Sequence, residues 1–439
     1  MSTKEKLIRH KKRNVRLFPL YKMVSWDLLF YYPIIFLFLT QVKGFSAAQV
    51  LFSDAFYTLS NTLWQIPVTR LVDRVGKKNA LIVGNILYTL SILSMIFMQD
   101  YYQLLIIQFI YALGYSIKGI CEANILYDSL PKGYRRGKIF SKIDGKSTSY
   151  FYIFEAIAST TAGFTFVING YIPMILCFIC CTIATILSFK FRHTTIVQNN
   201  VKPIKFTEYM VQLKTSFRYF LKSKRIRSLI MFNALLMGTI TAIVNLRSSI
   251  LKEIHVPEQY FGIIFAMLQI IAAISTRNTE KIQDNFRNKT LTWLGVPMVM
   301  SCIVIGFIGQ DQLSRSSLIL IIVLFAIQYA IKGPYVGLMT RYLNNFTNRS
   351  IRPKISALRY LTANLATAIL SLISSGLLVI TTTANTFIII GCITTIGVVL
   401  LLDYMTDKVG LKPEEYSDED IRYSINRPEK IEKELKVDE

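Results

Sequence analysis

Three acidic residues, Asp27, Glu122 and Glu155, stand inside long apolar stretches of this sequence. A carboxylate in hydrocarbon is costly unless it faces a wet cavity, pairs with a cation or takes up a proton. Each of the three is therefore a candidate carrier of a coupling proton. A structural ion pair with a nearby Lys or Arg is the competing interpretation, and for Asp27 both interpretations stay open.

The fourth apolar stretch carries five polar residues at steps of three and four, namely Gln108, Tyr111, Tyr115, Lys118 and Glu122. This spacing places them on one helical face, which we expect to line a polar cavity rather than lipid. Lys118 and Glu122 are four residues apart, so mutual neutralisation is the simplest explanation of both. In the alternative, Glu122 exchanges partners when a substrate or a proton arrives.

Further polar and aromatic residues at helical spacing are candidates to line a substrate cavity. Aromatic side chains bind amphipathic organic molecules with little hydrogen-bond specificity. Lys332, in the tenth apolar stretch, favours an anionic or zwitterionic substrate if it is unpaired, whereas pairing with Asp27 or Glu155 would leave the site neutral. The cavity candidates are Lys118, Lys332, Asn61, Gln65, Tyr111, Tyr115, Tyr152 and Gln328.

The apolar stretches that hold these residues are long enough to cross a bilayer. The 439 residues are 52% hydrophobic and 18% charged, and their mean hydropathy is +0.40, which is typical of an integral membrane protein. A bilayer core needs about 20 consecutive apolar residues in helical conformation. Twelve spans are predicted, at residues 17–41, 47–69, 79–98, 103–127, 147–168, 171–189, 228–251, 258–275, 290–309, 316–340, 355–379 and 384–404.

The basic residues sort by side of the membrane. The net charge is +23, and 44 of the 50 Lys and Arg residues lie in or near the termini and the loops of one parity, whereas four lie at loops of the other parity. Cytoplasmic loops show this excess, so we expect both termini in the cytoplasm and the chain in the plasma membrane. The basic excess therefore reflects topology and indicates lipid, not nucleic acid, as the partner.

Several classes of site find no support in the sequence. All six Cys residues fall in predicted spans, and the three His residues fall in loops or tails. A phosphate-binding Gly-rich loop, a nucleophile elbow and a metal-ligand cluster are all missing from the sequence. We therefore expect no enzymatic activity, no cofactor and no metal.

The basic loop in the middle of the chain separates two sets of six spans. Ten Lys and Arg residues interrupt the apolar pattern there, and residues 207–220 can be interpreted as a basic amphipathic helix or as a solvated linker. The predicted organisation is a cytoplasmic tail at 1–16, a six-helix bundle at 17–189, a central loop at 190–227, a second bundle at 228–404 and a charged cytoplasmic tail at 405–439.

A short charged run between spans two and three resembles a known family motif. Its residues Asp73, Arg74, Gly76, Lys77 and Lys78 resemble the helix 2 to helix 3 loop of the major facilitator superfamily. The match is incomplete upstream, because Gln65 and Thr69 replace the glutamate and the first glycine of that signature. The resemblance implies an all-α membrane fold of twelve helices in two pseudo-symmetric six-helix bundles. It also implies that this loop is a cytoplasmic gate, for which Arg359 is the candidate basic partner of Asp73.

Residues 123–130 and 351–359 resemble bacterial efflux-type members, although residues 158–163 lack the Gly-Pro pair of the antiporter motif in span five. The resemblance implies a bacterial transporter that works by alternating access, and we expect the protein to be a monomer. We expect proton-coupled efflux of an amphipathic small molecule or drug, of the kind that confers multidrug resistance. Two alternatives stay open: proton-coupled uptake of a small anion or peptide, and a non-transporting membrane sensor or immunity protein.

Overall fold

A computed structural model of the protein shows helices throughout the described part of the chain. A backbone inside a bilayer must satisfy its own hydrogen bonds, which an α-helix does within one segment. The described residues are 3–131, 136–193, 223–286, 289–310, 315–345 and 352–409, together with single positions between 211 and 221.

Seven α-helices and one π-helical segment lie in the described residues of the N-terminal part. They are α1 (Thr3–Ser25), α2 (Ile35–Leu37), the π segment (Phe38–Val42), α3 (Ala47–Val75), α4 (Lys77–Phe97), α5 (Tyr101–Ser129), α6 (Arg136–Ile168) and α7 (Ile172–Lys190).

The C-terminal part contains seven further described helices. They are α8 (Lys224–Glu253), α9 (Gln259–Arg277), α10 (Thr279–Phe286), α11 (Thr290–Ile308), α12 (Arg315–Asn345), α13 (Arg352–Ile380) and α14 (Thr383–Val409). Most of the predicted amphipathic helix at 207–220 lies outside the described residues.

Ten of the described helices are long and apolar enough to cross a membrane, and they coincide with the predicted spans three to twelve. The second predicted span lies on α3, which is 29 residues long but less apolar. The all-α membrane fold is thus confirmed.

The ends of α3 follow from local chemistry: Ser46 and Gln49 form a capping box at its start, and Gly76, at φ 86°, separates α3 from α4.

The prediction of one continuous helix at 17–41 is wrong. Helix α1 ends at Ser25, the chain turns through the following residues, and regular structure resumes at Ile35. Phe30 adopts φ 63°, which is unusual for a residue with a side chain. Pro33 lies in the interruption and cannot donate a backbone hydrogen bond. The first span is therefore a discontinuous helix, and Asp27 lies in the interruption.

The chain forms two compact units. The first contains Met1–Lys205 and Val256–Met267, and the second contains Phe206–His255 and Leu268–Glu439. In the first unit, α5 packs against α3 and α4, α4 packs against α7, and α1 packs against α6 and α7. In the second unit, α8 packs against α13 and α14, and α11 packs against α14.

Candidate functional site

The interruption of the first span presents Asp27 within a polar and aromatic setting. Its Oδ1 accepts hydrogen bonds from the backbone N–H of Leu28 at 2.9 Å, the hydroxyl of Tyr32 at 2.6 Å and the hydroxyl of Tyr88 at 3.4 Å. Within the described residues no Lys or Arg forms an ion pair with Asp27. The carboxyl group is thus held in place by neutral donors, a setting that permits it to gain or lose a proton without breaking a salt bridge.

A cluster of tyrosines surrounds this carboxylate. The ring of Tyr111 lies 5.1 Å from that of Tyr57 and 4.9 Å from that of Tyr88, measured between centroids. Tyr115 lies 6.2 Å from Tyr57 and 6.5 Å from Tyr88. Tyr88 and Tyr111 are buried, whereas Tyr57 and Tyr115 are partly exposed. We define these four residues and Tyr32 as the tyrosine cluster. Of these, Tyr111 and Tyr115 were predicted from the sequence.

Lys118 and Glu122 form a buried ion pair beside the cluster. Lys118 Nζ lies 3.9 Å from Glu122 Oε1 and 4.2 Å from the centroid of the Tyr88 ring. The same ammonium donates a hydrogen bond to the carbonyl oxygen of Ser25, at the C-terminal end of α1, where a cation is favoured by the helix dipole. Lys118 is only 2% exposed, so it does not line an open surface of the first unit.

Glu122 has further partners on α1. The Tyr21 hydroxyl donates to its Oε1 at 2.9 Å, and the Ser25 hydroxyl donates at 3.2 Å. The pair between Lys118 and Glu122 therefore also ties α5 to the C-terminal end of α1. The ion pair and these hydrogen bonds are sufficient to explain why both charges are buried. A proton-coupling role for Glu122 stays a prediction.

A second ion pair of the first unit was not anticipated. Lys22 Nζ lies 2.5 Å from Asp144 Oδ1 and 3.8 Å from the centroid of the Trp26 ring. Lys22 is 1% exposed, so the contact joins α1 firmly to α6. These two residues are far apart in sequence, and no local pattern indicates that they pair.

The other predicted residues of the first unit are dispersed. Glu155 is buried on α6. Asn61 Oδ1 accepts a hydrogen bond of 2.5 Å from the Ser116 hydroxyl, and Gln65 is partly exposed on the same helix. Tyr152 is 46% exposed. Their roles at a substrate cavity or in proton coupling remain predictions.

In the second unit, two basic side chains approach one tyrosine ring. Arg247 on α8 donates a hydrogen bond to the Tyr329 hydroxyl, and its guanidinium carbon lies 5.4 Å from the ring centroid. Lys332 Nζ lies 5.1 Å from the same centroid. Gln328 is buried and donates to Ser301 Oγ at 2.8 Å, and its Oε1 atom has no hydrogen-bond partner among the described residues. This part of α12 therefore combines positive charge with an unused acceptor.

The loop between α3 and α4 is held by contacts to neighbouring helix ends. Lys77 Nζ lies 2.5 Å from Asp128 Oδ2 near the end of α5. Burial lowers the pKa of His193, just beyond α7, and the positive charges of Lys78 and His10 lower it further. Arg74 is exposed. The side chain of Asp73 lies outside the described residues.

Arg359, the predicted partner of Asp73, is buried in the second unit at 6% exposure. Its Nε donates to Asn233 Oδ1 at 3.2 Å, and its Nη1 donates to Thr340 Oγ1 at 2.8 Å. The guanidinium is thus positioned by α8 and α12. Its role in a gate remains a prediction.

Helices α6 and α9 approach each other closely through two glycines of the first unit. A Cβ atom at Gly163 would lie 2.5 Å from the carbonyl oxygen of Gln259, and one at Gly262 would collide with the carbonyl oxygen of Ser159. Small residues permit this kind of backbone contact between membrane helices. Any larger side chain at either position must force the two helices apart.

Among the described residues, no group of three or more His, Cys, Asp and Glu side chains lies close enough to hold a metal ion.

The sequence matches the model of the Major Facilitator Superfamily over residues 17–313 and 249–430. No curated protein sequence matches the chain significantly.

Several solved structures are similar to this one at low sequence identity. The nucleoside transporter NupG has a TM-score of 0.69 at 11% identity, over 90% of this chain and 99% of that chain. The D-xylose-proton symporter has a TM-score of 0.64 at 13% identity, over 92% and 98% of the two chains. A POT family transporter in complex with 5-aminolevulinic acid has a TM-score of 0.65 at 13% identity, over 92% and 96%. At these identities the similarity shows the shared fold.

Proposed function

The chain belongs to the Major Facilitator Superfamily and is a secondary transporter of that type, and from this premise we propose that it exports an amphipathic organic molecule in exchange for protons. Asp27 carries the coupling proton in this proposal, and the tyrosine cluster contacts the substrate. The observation that carries the proposal is the position of Asp27 at the interruption of the first span, where its hydrogen bonds among the described residues come from neutral donors.

Discontinuous helices are a recurrent way for transporters to place polar groups at membrane depth. The interruption at residues 26–34 leaves room for the side chains of Asp27 and Tyr32 to meet on one side of the backbone. An ionised carboxylate there favours a wet surrounding, whereas the protonated form tolerates a dry one. Protonation therefore changes which conformation of the transporter is favoured, as coupling requires.

A proton that enters from outside neutralises Asp27 and permits the return of the empty transporter to the state open to the cytoplasm. Release of this proton inside restores the carboxylate, which then favours the substrate-loaded state. One proton therefore moves inward each time Asp27 is protonated from outside and then deprotonated inside. No covalent bond is made or broken.

The tyrosine cluster supports an amphipathic substrate. Five aromatic rings offer a large apolar surface with hydroxyl groups at its edge, and Tyr32, Tyr57 and Tyr115 are partly exposed. Aromatic faces also attract cationic groups, and Asp27 supplies a negative charge beside them. Lipophilic amines and quaternary ammonium compounds are accordingly the first substrates to try.

A second candidate function, uptake of a small anion or peptide together with protons, is favoured by Arg247 and Lys332 at Tyr329. Two structural neighbours point the same way, because one is a proton symporter and another is a POT family transporter in complex with 5-aminolevulinic acid. The guanidinium and ammonium groups would then bind the carboxylate of the substrate.

Inverted membrane vesicles with an imposed pH gradient test the two candidates. Lipophilic cations, amphipathic anions and short peptides are added in turn, and vesicles without the protein are the control. Export by antiport predicts that lipophilic cations dissipate the gradient only when the protein is present. A response in vesicles of natural orientation to anions or peptides alone would favour uptake. No response to any compound, with the protein verified in the membrane, would contradict both and favour a non-transporting role.

A further inference from the structure

A groove with a volume of about 710 Å³ runs along most of α1, from Glu5 to Leu20, outside the candidate transport site. Its lining residues recur every three or four positions, so they form one stripe on the helix, completed by a residue at the end of α7. We call it the basic groove; it is lined by Glu5, Ile8, Arg9, Lys12, Arg13, Arg16, Leu17, Leu20 and Lys190.

Asn14 relates the basic groove to the ends of two spanning helices. Its Nδ2 donates to Ser129 Oγ at 3.2 Å and to the carbonyl oxygen of Arg192 at 2.8 Å, and its Oδ1 accepts from the Arg192 N–H at 2.9 Å. Ser129 ends α5, and Arg192 follows the end of α7. Asn14 therefore marks the level at which these two spanning helices end.

The charges of the basic groove lie close to this level. At 1.5 Å per residue along the helix axis, Arg9 is about 7.5 Å from Asn14 on the side away from the spans, and Arg16 is about 3 Å from it on the side of the spans. The polar headgroup layer of a bilayer extends roughly 5–7 Å beyond the hydrocarbon core. The basic side chains are thus at the depth of lipid headgroups, and the positive-inside pattern predicts that this is the cytoplasmic surface.

The composition of the groove matches an anionic lipid. Five cations face a single carboxylate, that of Glu5, so the groove is strongly positive. The membrane end of the stripe is apolar, since Leu17 and Leu20 follow Arg16, and Leu20 is 57% exposed. An anionic phospholipid carries a negatively charged phosphate followed by an apolar acyl chain, and so matches first the basic part and then the apolar part of the groove.

The helix that carries the groove is rigidly placed. Its opposite face packs into the first unit through Phe18 and Tyr21, which are at most 1% exposed, and the Tyr21 ring contacts Phe191 edge-on at 5.2 Å. Together with the hydrogen bonds of Asn14, this packing holds the backbone of residues 14–21, from which Arg16, Leu17 and Leu20 project into the groove. Less conformational freedom is lost on binding when the binding groups are held in advance.

We propose that the basic groove is a binding site for one anionic phospholipid of the cytoplasmic leaflet, with the phosphate at Arg9, Lys12, Arg13, Arg16 and Lys190 and the acyl chain along Leu17 and Leu20. This inference does not depend on the substrate or on the direction of transport.

Native mass spectrometry of the full-length protein, released from nanodiscs that contain equal amounts of phosphatidylglycerol and phosphatidylcholine, tests the site. The groove variant carries Lys12→Gln and Arg16→Gln. The matched control carries Lys6→Gln and Lys11→Gln, which lower the net charge equally on the same helix but outside the groove. Thermal unfolding of both variants checks that they are folded.

The expected result is a retained phosphatidylglycerol molecule on the wild-type protein and on the control, with affinity for this lipid roughly 25-fold weaker in the groove variant, about fivefold for each lost cation. Equal retention by the groove variant and the wild type would overturn the proposal. So would equal losses in both variants, because the net charge alone would then explain lipid retention. Absence of any preference for phosphatidylglycerol in the wild type would also overturn it.

Discussion

The hydroxyl of Tyr32 donates a hydrogen bond of 2.6 Å to Oδ1 of Asp27 across the interruption of the first membrane span. The ring of Tyr32 also stacks on Phe265 of α9, with 6.4 Å between centroids and planes inclined by 8°. One side chain thus joins the candidate coupling acid to Phe265, which lies in the part of α9 that belongs to the first unit.

Replacement of Tyr32 by Phe should weaken transport while leaving the packing of the ring intact. A hydrogen bond to a charged group contributes about 1.5–3 kcal/mol, so a loss of tenfold or more in coupled transport is expected. Tyr31→Phe is the matched control, because among the described residues the Tyr31 hydroxyl has a single hydrogen-bond partner, the sulfur of Met95 at 3.7 Å. Substrate-dependent proton flux measures both variants. Similar activities of the two would remove Tyr32 from the coupling path.

The Lys118–Glu122 pair predicts strong energetic coupling between the two residues. Removal of one charge leaves the other buried without its partner, at a cost of about 3–5 kcal/mol. Glu122→Gln should therefore lower the thermal unfolding temperature in detergent. The double variant Lys118→Met, Glu122→Gln should recover part of the loss. If the two single effects simply added, the pair would not be a structural element.

The close contact of α6 and α9 predicts that even a methyl group at Gly262 is disruptive. The added Cβ of Gly262→Ala would collide with the Ser159 carbonyl oxygen, and overpacking of this kind costs about 1–3 kcal/mol. Both the unfolding temperature and transport should fall. Gly145→Ala on α6 is the control, because a Cβ there meets nothing within 4 Å. A Gly262→Ala protein with wild-type stability and activity would show that the helices separate easily.

The resemblance of the α3–α4 loop to a gate predicts that Asp73→Asn abolishes transport while the protein still reaches the membrane. The reason is that the loop would lose the charge that the basic partner recognises. Transport assays on vesicles with matched protein content measure the effect. Full transport by the Asp73→Asn protein would mean that this loop does not act as a gate.

Hydropathy and charge predicted the helices of this protein well, because both reflect the demand of the bilayer on the backbone. The pair between Lys118 and Glu122 also followed from spacing, since residues four apart meet on a helix. The interruption at Asp27 was missed, because the apolar pattern continues through it. Pro33 is the signal that could have indicated a break.

Contacts between distant helices could not be read from spacing. Lys22 pairs with Asp144 across 122 positions, and Tyr57 joins the tyrosine cluster from α3. None of these three residues is marked by a local sequence pattern. The pairing of Lys77 with Asp128 also depends on where α4 and α5 meet. These relationships arise from helix packing, which a single sequence leaves open.

Proton flux in inverted vesicles decides whether Asp27 carries the coupling proton, with Asp27→Asn compared with the wild type and with Asp403→Asn as control. Asp403 is an exposed acid near the end of α14 and belongs to no candidate site. We expect a transported compound to move protons in the wild type and in Asp403→Asn but not in Asp27→Asn. Proton flux of wild-type size in Asp27→Asn would contradict this expectation.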